Sequence, residues 1–147
     1  MTAPTEDGDL LLHATTVALD GRGVLIGGPS GSGKSDLALR LIDGGAILVS
    51  DDQTLVRRRG AALLARAPAT IAGLIEVRGI GIVTMPHLDE ASIALHVELV
   101  DPLVIERLPP PDIRVILGVP VPVLRLAPFQ ASAAAKLRLA AMRLARQ

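Results

Sequence analysis

Cysteine, tryptophan and tyrosine are absent from this 147-residue chain, and Phe129 is its only aromatic residue. Without thiols there can be neither a disulfide framework nor a thiolate metal site. With a single aromatic ring there is no series of stacking platforms for single-stranded nucleic acid, so no nucleic-acid partner is expected. No apolar run is long enough to span a bilayer, and Glu6, Asp7 and Asp9 make the N-terminus the opposite of a signal peptide. The expectation is a cytoplasmic protein with no membrane partner. Charge balances at formal zero and half the residues are apolar, which describes a folded chain rather than a disordered one. The length suits one domain with one substantial core. Residues 1–10 are expected to be a tail and 11–147 the domain.

Against that plain background, Gly28-Pro29-Ser30-Gly31-Ser32-Gly33-Lys34-Ser35 reads G-x-x-x-x-G-K-S, the phosphate-cradling loop of P-loop proteins. The glycines let backbone N–H groups turn towards phosphate oxygens. Lys34 supplies a compact ammonium for the β- and γ-phosphates, and Ser35 a hydroxyl that Mg²⁺ can take as an oxygen ligand. The flanks agree: Gly23–Ile26 is an apolar strand, and the segment from Lys34 to Asp43 has helical spacing up to the stop signal Gly44-Gly45. A helix N-terminus beneath the loop puts its positive dipole end under the phosphates.

One feature departs from common P-loop domains, where the loop strand opens the fold. Here Thr15–Leu19 reads as an earlier strand, and Asp20-Gly21 as the tight turn joining the two into a hairpin. Ala46–Ser50 follows the helix as a buried strand ending in Asp51-Asp52. Further strands are expected at 54–57, 62–66, 80–84, 92–99 and 113–117. Pro109-Pro110-Pro111 marks a surface connection, and Ala131 to Arg146 a closing helix with Leu137, Ala140, Ala141 and Leu144 on one face.

Four segments in this order resemble the catalytic domain of HPr kinase/phosphorylase. They are His13 before the hairpin, the loop Gly28–Ser35 followed by Asp36, the run Gly44-Gly45-Ala46-Ile47-Leu48-Val49-Ser50-Asp51-Asp52, and Leu74-Ile75-Glu76-Val77-Arg78-Gly79-Ile80-Gly81-Ile82. The last is similar to the family signature L-E-I-R-G-L-G-I. The resemblance covers roughly Leu12 to Val123 and is to the short alpha-proteobacterial form without an N-terminal domain. It implies a single α/β P-loop kinase domain with the phosphoenolpyruvate carboxykinase-like fold. It also implies a cytoplasmic, hexameric enzyme that uses ATP and Mg²⁺ to phosphorylate a serine on an HPr-type phosphocarrier protein, with phosphorolysis as the reverse reaction.

By the same resemblance, Asp52 is the base that takes the serine proton, and His13 an active-site residue beside it. Asp51 acts through the metal or holds its neighbour, and Ser35 and Glu76 are Mg²⁺ ligands. Arg125 stands in for a catalytic arginine that the family carries in a Gly-Arg-Asn-type loop, which this chain lacks. Residue by residue, plainer readings remain open: a turn for Asp51-Asp52, a capping histidine at His13, and an ion pair between Glu76 and Arg78. Glu76 lies in an apolar, glycine-rich run, where a buried carboxylate would need a partner or a metal. Arg57-Arg58-Arg59 reads as a solvated hairpin end, His87 and His96 as structural, and Met85-Pro86-His87 as a substrate-facing loop by family position. The competing functions are a P-loop small-molecule kinase and a non-catalytic nucleotide-sensing module.

Overall fold

In the computed structural model, which describes residues 2–4 and 9–146, Asp20 and Gly21 both take left-handed dihedrals (φ 50° and 79°). That is the two-residue turn whose twist suits an antiparallel hairpin. It joins β3 (Ala14–Leu19) to β4 (Arg22–Gly27), with Leu19 opposite Arg22 and Ala14 opposite Gly27. Two short strands precede them: β1 (Thr2–Pro4) and β2 (Leu10–Leu12), paired antiparallel. The tail expected over residues 1–10 is therefore replaced by strand at 2–4 and at Leu10. Asp9 is buried and ion-paired with Arg66 at 2.6 Å. Glu6 and Asp7 lie outside the described residues.

After the loop comes α1 (Lys34–Asp43), which buries Leu37, Ala38 and Leu41, three residues on one helical face. It stops where expected. Gly45 (φ 112°) donates to the Ile42 carbonyl and Ala46 to the Leu41 carbonyl, so the last turn's acceptors are satisfied. Then follow β5 (Ile47–Ser50), the hairpin β6 (Thr54–Arg59) and β7 (Ala62–Arg66), and a separate two-stranded sheet of β8 (Leu74–Val77) and β9 (Gly81–Thr84). The long β10 (Ala91–Leu99), β11 (Ile113–Ile116), β12 (Val119–Leu126) and α2 (Ala133–Ala145) complete the chain.

The large sheet is mixed. β10 runs parallel to β4 on one edge; on the other it pairs first with β7, antiparallel, and then with β12, parallel. Across the loop strand the order is β5, β3, β4, β10, β12. One face carries α1 and α2 over a core that includes Val17, Ile26, Leu48, Leu95, Val97, Leu126 and Leu137. A second cluster, with Leu12, Leu25, Val56, Leu63, Ile116 and Val121, gathers residues of the alternate register. Arg138 of α2 donates to the Leu41 carbonyl at 2.9 Å and fills the space where a Cβ on Gly44 would stand. The closing helix is thereby tied to the end of α1.

His96, in the middle of β10, is only 3 % exposed. Its Nε2 faces the Arg114 guanidinium at 3.1 Å, and since arginine can only donate, Nε2 accepts and the proton sits on Nδ1. That Nδ1 is buried with no partner among the described residues. Burial, with the Arg114 charge beside it, pushes the imidazole down from 6.5 to about 4. The unfolded chain therefore takes up a proton near pH 6.5 and the folded chain does not until near pH 4. Stability present above pH 6.5 is lost as pH falls through that window. Urea unfolding at pH 7 and pH 5 is expected to show wild type losing about 2 kcal/mol more than His96→Leu. Parallel losses in the two proteins would mean that His96 titrates normally.

Candidate functional site

The loop between β4 and α1 is shaped by contacts that glycine alone allows. A Cβ on Gly28 would stand 2.6 Å from Ser32 Oγ, and one on Gly33 (φ 101°) would stand 3.0 Å from the Phe129 ring. Gly33 is the N-cap of α1 and has no side chain with which to cap it. The first N–H groups of the helix therefore remain available to an anion. Lys34 is buried and donates to the Gly28 and Pro29 carbonyls at 2.8 and 3.2 Å, so its ammonium lies against the loop. Ser32 Oγ is buried without a partner among the described residues.

Strand β5 delivers the acidic pair. Asp51 is 7 % exposed, and its carboxylate collects three donors. Ser35 Oγ reaches Oδ1 at 2.6 Å, Thr15 Oγ1 reaches the same oxygen at 3.1 Å, and the Glu76 N–H reaches Oδ2 at 3.0 Å. Loop, hairpin and β8 thus converge on one carboxylate. The next residue is built differently. Gln53 N–H closes on the Asp51 carbonyl at 2.7 Å, a tight turn that leaves Asp52 exposed at φ 66°. The Asp52 N–H donates to Thr15 Oγ1 at 3.0 Å. A non-glycine residue in this region costs on the order of 1–3 kcal/mol, and such strain gathers at functional positions.

Glu76 is exposed, which removes the burial argument made for it from sequence. Strand alternation explains this: Ile75 and Val77 point into the core, and Glu76 and Arg78 point out of it. No ion pair joins Glu76 to Arg78 among the described residues. Both instead line a cleft of about 540 Å³, together with Ser30, Lys34, Ser35, Asp51, Asp52 and Phe129.

Two expected site residues stand apart from this lining. The guanidinium of Arg125, on β12, is committed to Asp112 at 2.8 Å and Glu98 at 3.3 Å, and the Asp112 hydrogen bond pushes its pKa further up. It lies outside the cleft lining, because Leu124 and Leu126 on either side of it turn to the helix-side core and Arg125 therefore to the opposite face of β12. His13 follows β2, whose Leu12 lies opposite Thr54, so its backbone runs past the Asp52–Gln53 turn. Its side chain is exposed and outside the lining. Thr15, Arg78 and Phe129 were not expected at the site. A threonine buried in an apolar strand is the signal that could have found Thr15, and the two-residue spacing from Glu76 could have found Arg78.

The donor set suits a hard cation. A serine hydroxyl bonded to a buried strand-end aspartate, with a second carboxylate on the facing strand, offers oxygen ligands only. No group of three histidine, cysteine or acidic side chains is gathered for a metal among the described residues. Together with the buried lysine and the uncapped helix start, these oxygens meet the needs of Mg²⁺ and a phosphate chain.

A glycine loop feeding an uncapped helix, with Lys34 and a Ser35–Asp51 pair at its rim, is the site geometry of P-loop phosphate-binding proteins. More narrowly, residues 8–137 match the HPr serine kinase C-terminal domain family, and the chain belongs to it. It is 41 % identical over 97 residues to the HPr kinase/phosphorylase of Mycoplasmopsis pulmonis (61 % of this chain, 31 % of that protein). It is 47 % identical over 77 residues to that of Caldicellulosiruptor bescii (52 % and 25 %). The chain thus spans less than a third of the length of these curated relatives. Among solved structures, the HPr(Ser) kinase/phosphatase of Coxiella burnetii superposes with a TM-score of 0.76 at 28 % identity, over 90 % of this chain and 98 % of that one. The expected α/β fold is therefore the fold of that family. No helix of the described residues is long and apolar enough to cross a membrane.

Proposed function

We propose that this chain is a protein-serine kinase domain that transfers the γ-phosphoryl of Mg-ATP to a serine of an HPr-type phosphocarrier protein in the cytoplasm, and works as a homo-oligomer. The observation that carries the reading is the buried Asp51 carboxylate, which ties the loop serine, the hairpin and the Glu76 strand into one cleft floor. Loop N–H groups and Lys34 hold the β- and γ-phosphates. Ser35, Asp51 and Glu76 would hold Mg²⁺, which supplies charge neutralisation on the transferring group. Asp52, exposed at the rim, accepts the proton of the attacking serine hydroxyl as its oxygen bonds to the γ-phosphorus and ADP leaves. Arg78 adds a second cation to the lining.

With Asp52 entering protonated, the same residues support a second reaction of the phosphorylated carrier, phosphorolysis. Inorganic phosphate attacks the phosphoserine phosphorus, the P–O bond to serine breaks, and pyrophosphate leaves while Asp52 returns the proton to the serine oxygen. His13, beside the Asp52 turn along the backbone, is assigned a supporting role.

The test is mass spectrometry of an HPr-type protein incubated with this chain and Mg-ATP. A single phosphoserine is expected, with pyrophosphate released when phosphate replaces ATP and the phosphorylated carrier is supplied. Efficient phosphorylation of a sugar or nucleoside with no protein labelled would replace this reading with a small-molecule kinase. Nucleotide binding with no transfer to any acceptor would leave a sensing module.

A further inference from the structure

The chain's single aromatic ring stands at the loop, in solvent, and the backbone holds it there. Phe129 is 73 % exposed although it lies between the buried Pro128 and α2. Its turn is anchored on both sides. Arg40 of α1, paired with Asp36, donates to the Pro128 carbonyl, and the Ala133 N–H donates to the Gln130 carbonyl at 3.1 Å. The ring edge lies against Gly33, where the phosphate chain would meet the helix, and Phe129 and Leu39 are the large apolar side chains at this part of the cleft.

Topology sets the direction. Asp51 and Asp52 follow β5, two strands to one side of β4; Phe129 follows β12, two strands to the other. Because β4, β10 and β12 run parallel, the turn carrying Phe129 lies at the same carboxyl edge as the loop, where open α/β sheets bind ligands. A triphosphate whose γ end faces Asp52 therefore extends its nucleoside towards Phe129.

We propose that Phe129 is the base platform of this cleft, its ring stacking on the heterocycle of the bound nucleotide on the side away from Asp52. The inference rests on the nucleotide reading of the loop given above. An aromatic ring offers a π-face to any base, so the contact adds affinity for the nucleoside half of the ligand without touching the phosphates.

Calorimetric titration of the full chain with Mg-ATP and with Mg-tripolyphosphate, which carries no base, separates the two halves. Phe129→Ala is expected to weaken ATP about tenfold to a hundredfold and to leave tripolyphosphate unchanged. Phe129→Tyr should stay near wild type, and Phe129→Leu, which keeps an apolar contact with Gly33, should behave as the alanine variant does. Unchanged ATP affinity in Phe129→Ala would overturn the proposal. So would an equal loss for both ligands, which would make Phe129 a prop for the loop. Failure of the underlying reading looks different: wild type would bind neither ligand, and Lys34→Ala would change nothing.

Discussion

Asp52→Asn is expected to abolish kinase and phosphorylase activities together, each by at least about 10² to 10⁴ in rate, the usual contribution of a positioned general base. The joint loss follows if one group handles the proton of the serine oxygen in both reactions. Its placement favours this assignment over Asp51, whose two oxygens are already engaged with three donors while Asp52 faces the cleft with its carboxylate free of protein partners among the described residues. Mg-ATP should still bind, because the loop and Lys34 are untouched. The left-handed backbone adds a second expectation. Asp52→Gly removes the side-chain clash at φ 66° and should melt at or slightly above the wild-type temperature while equally inactive. Parallel assays of both activities, ATP affinity and melting temperature decide the matter. If Asp52→Asn lost only ATP binding, Asp52 would be a metal ligand and the base would have to be sought elsewhere.

The hairpin, loop, α1 and β5 were legible because short-range chemistry dictates each of them: an Asp-Gly turn, a glycine loop, a 3.6-residue apolar period and a double-glycine stop. What was missed depends on partners distant in sequence. β12 carries Pro120 and Pro122, which read as strand breakers. Both lie where β12 pairs with β11 alone; the Val123 N–H turns to the Asp112 carbonyl, and pairing with β10 begins only at Val123. The missing donors therefore fall on a side with no strand to receive them. β8 is masked by the apolar, glycine-rich character of Leu74–Ile82, in which only the alternation of Ile75 and Val77 with Glu76 shows that the carboxylate points out of the core. Arg125 was assigned by its neighbourhood to a motif; β12 continues through it to Leu126 and spends it on Glu98 and Asp112.

Asp51 is where stability and function meet, and Asp51→Asn is expected to damage both. Whichever way the amide is turned, its NH₂ faces a donor: Ser35 and Thr15 hydroxyls on one side, the Glu76 N–H on the other. Leaving a buried donor unpaired costs about 1–3 kcal/mol, which for a domain of this size lowers the melting temperature by about 3 to 10 °C. The variant should also bind ATP no better with Mg²⁺ than without it. Ser35→Ala provides the contrast. It removes one donor and leaves Asp51 with two, so the melting temperature should shift less while the Mg²⁺ dependence of ATP affinity is lost to a similar degree. Thermal melts and calorimetric titrations with and without Mg²⁺ on the two variants give two melting temperatures and two Mg²⁺ dependences. An Asp51→Asn protein that kept its Mg²⁺-dependent affinity would make Asp51 a structural keystone only, and Glu76, facing the cleft from the opposite strand, would then be the carboxylate that holds the metal.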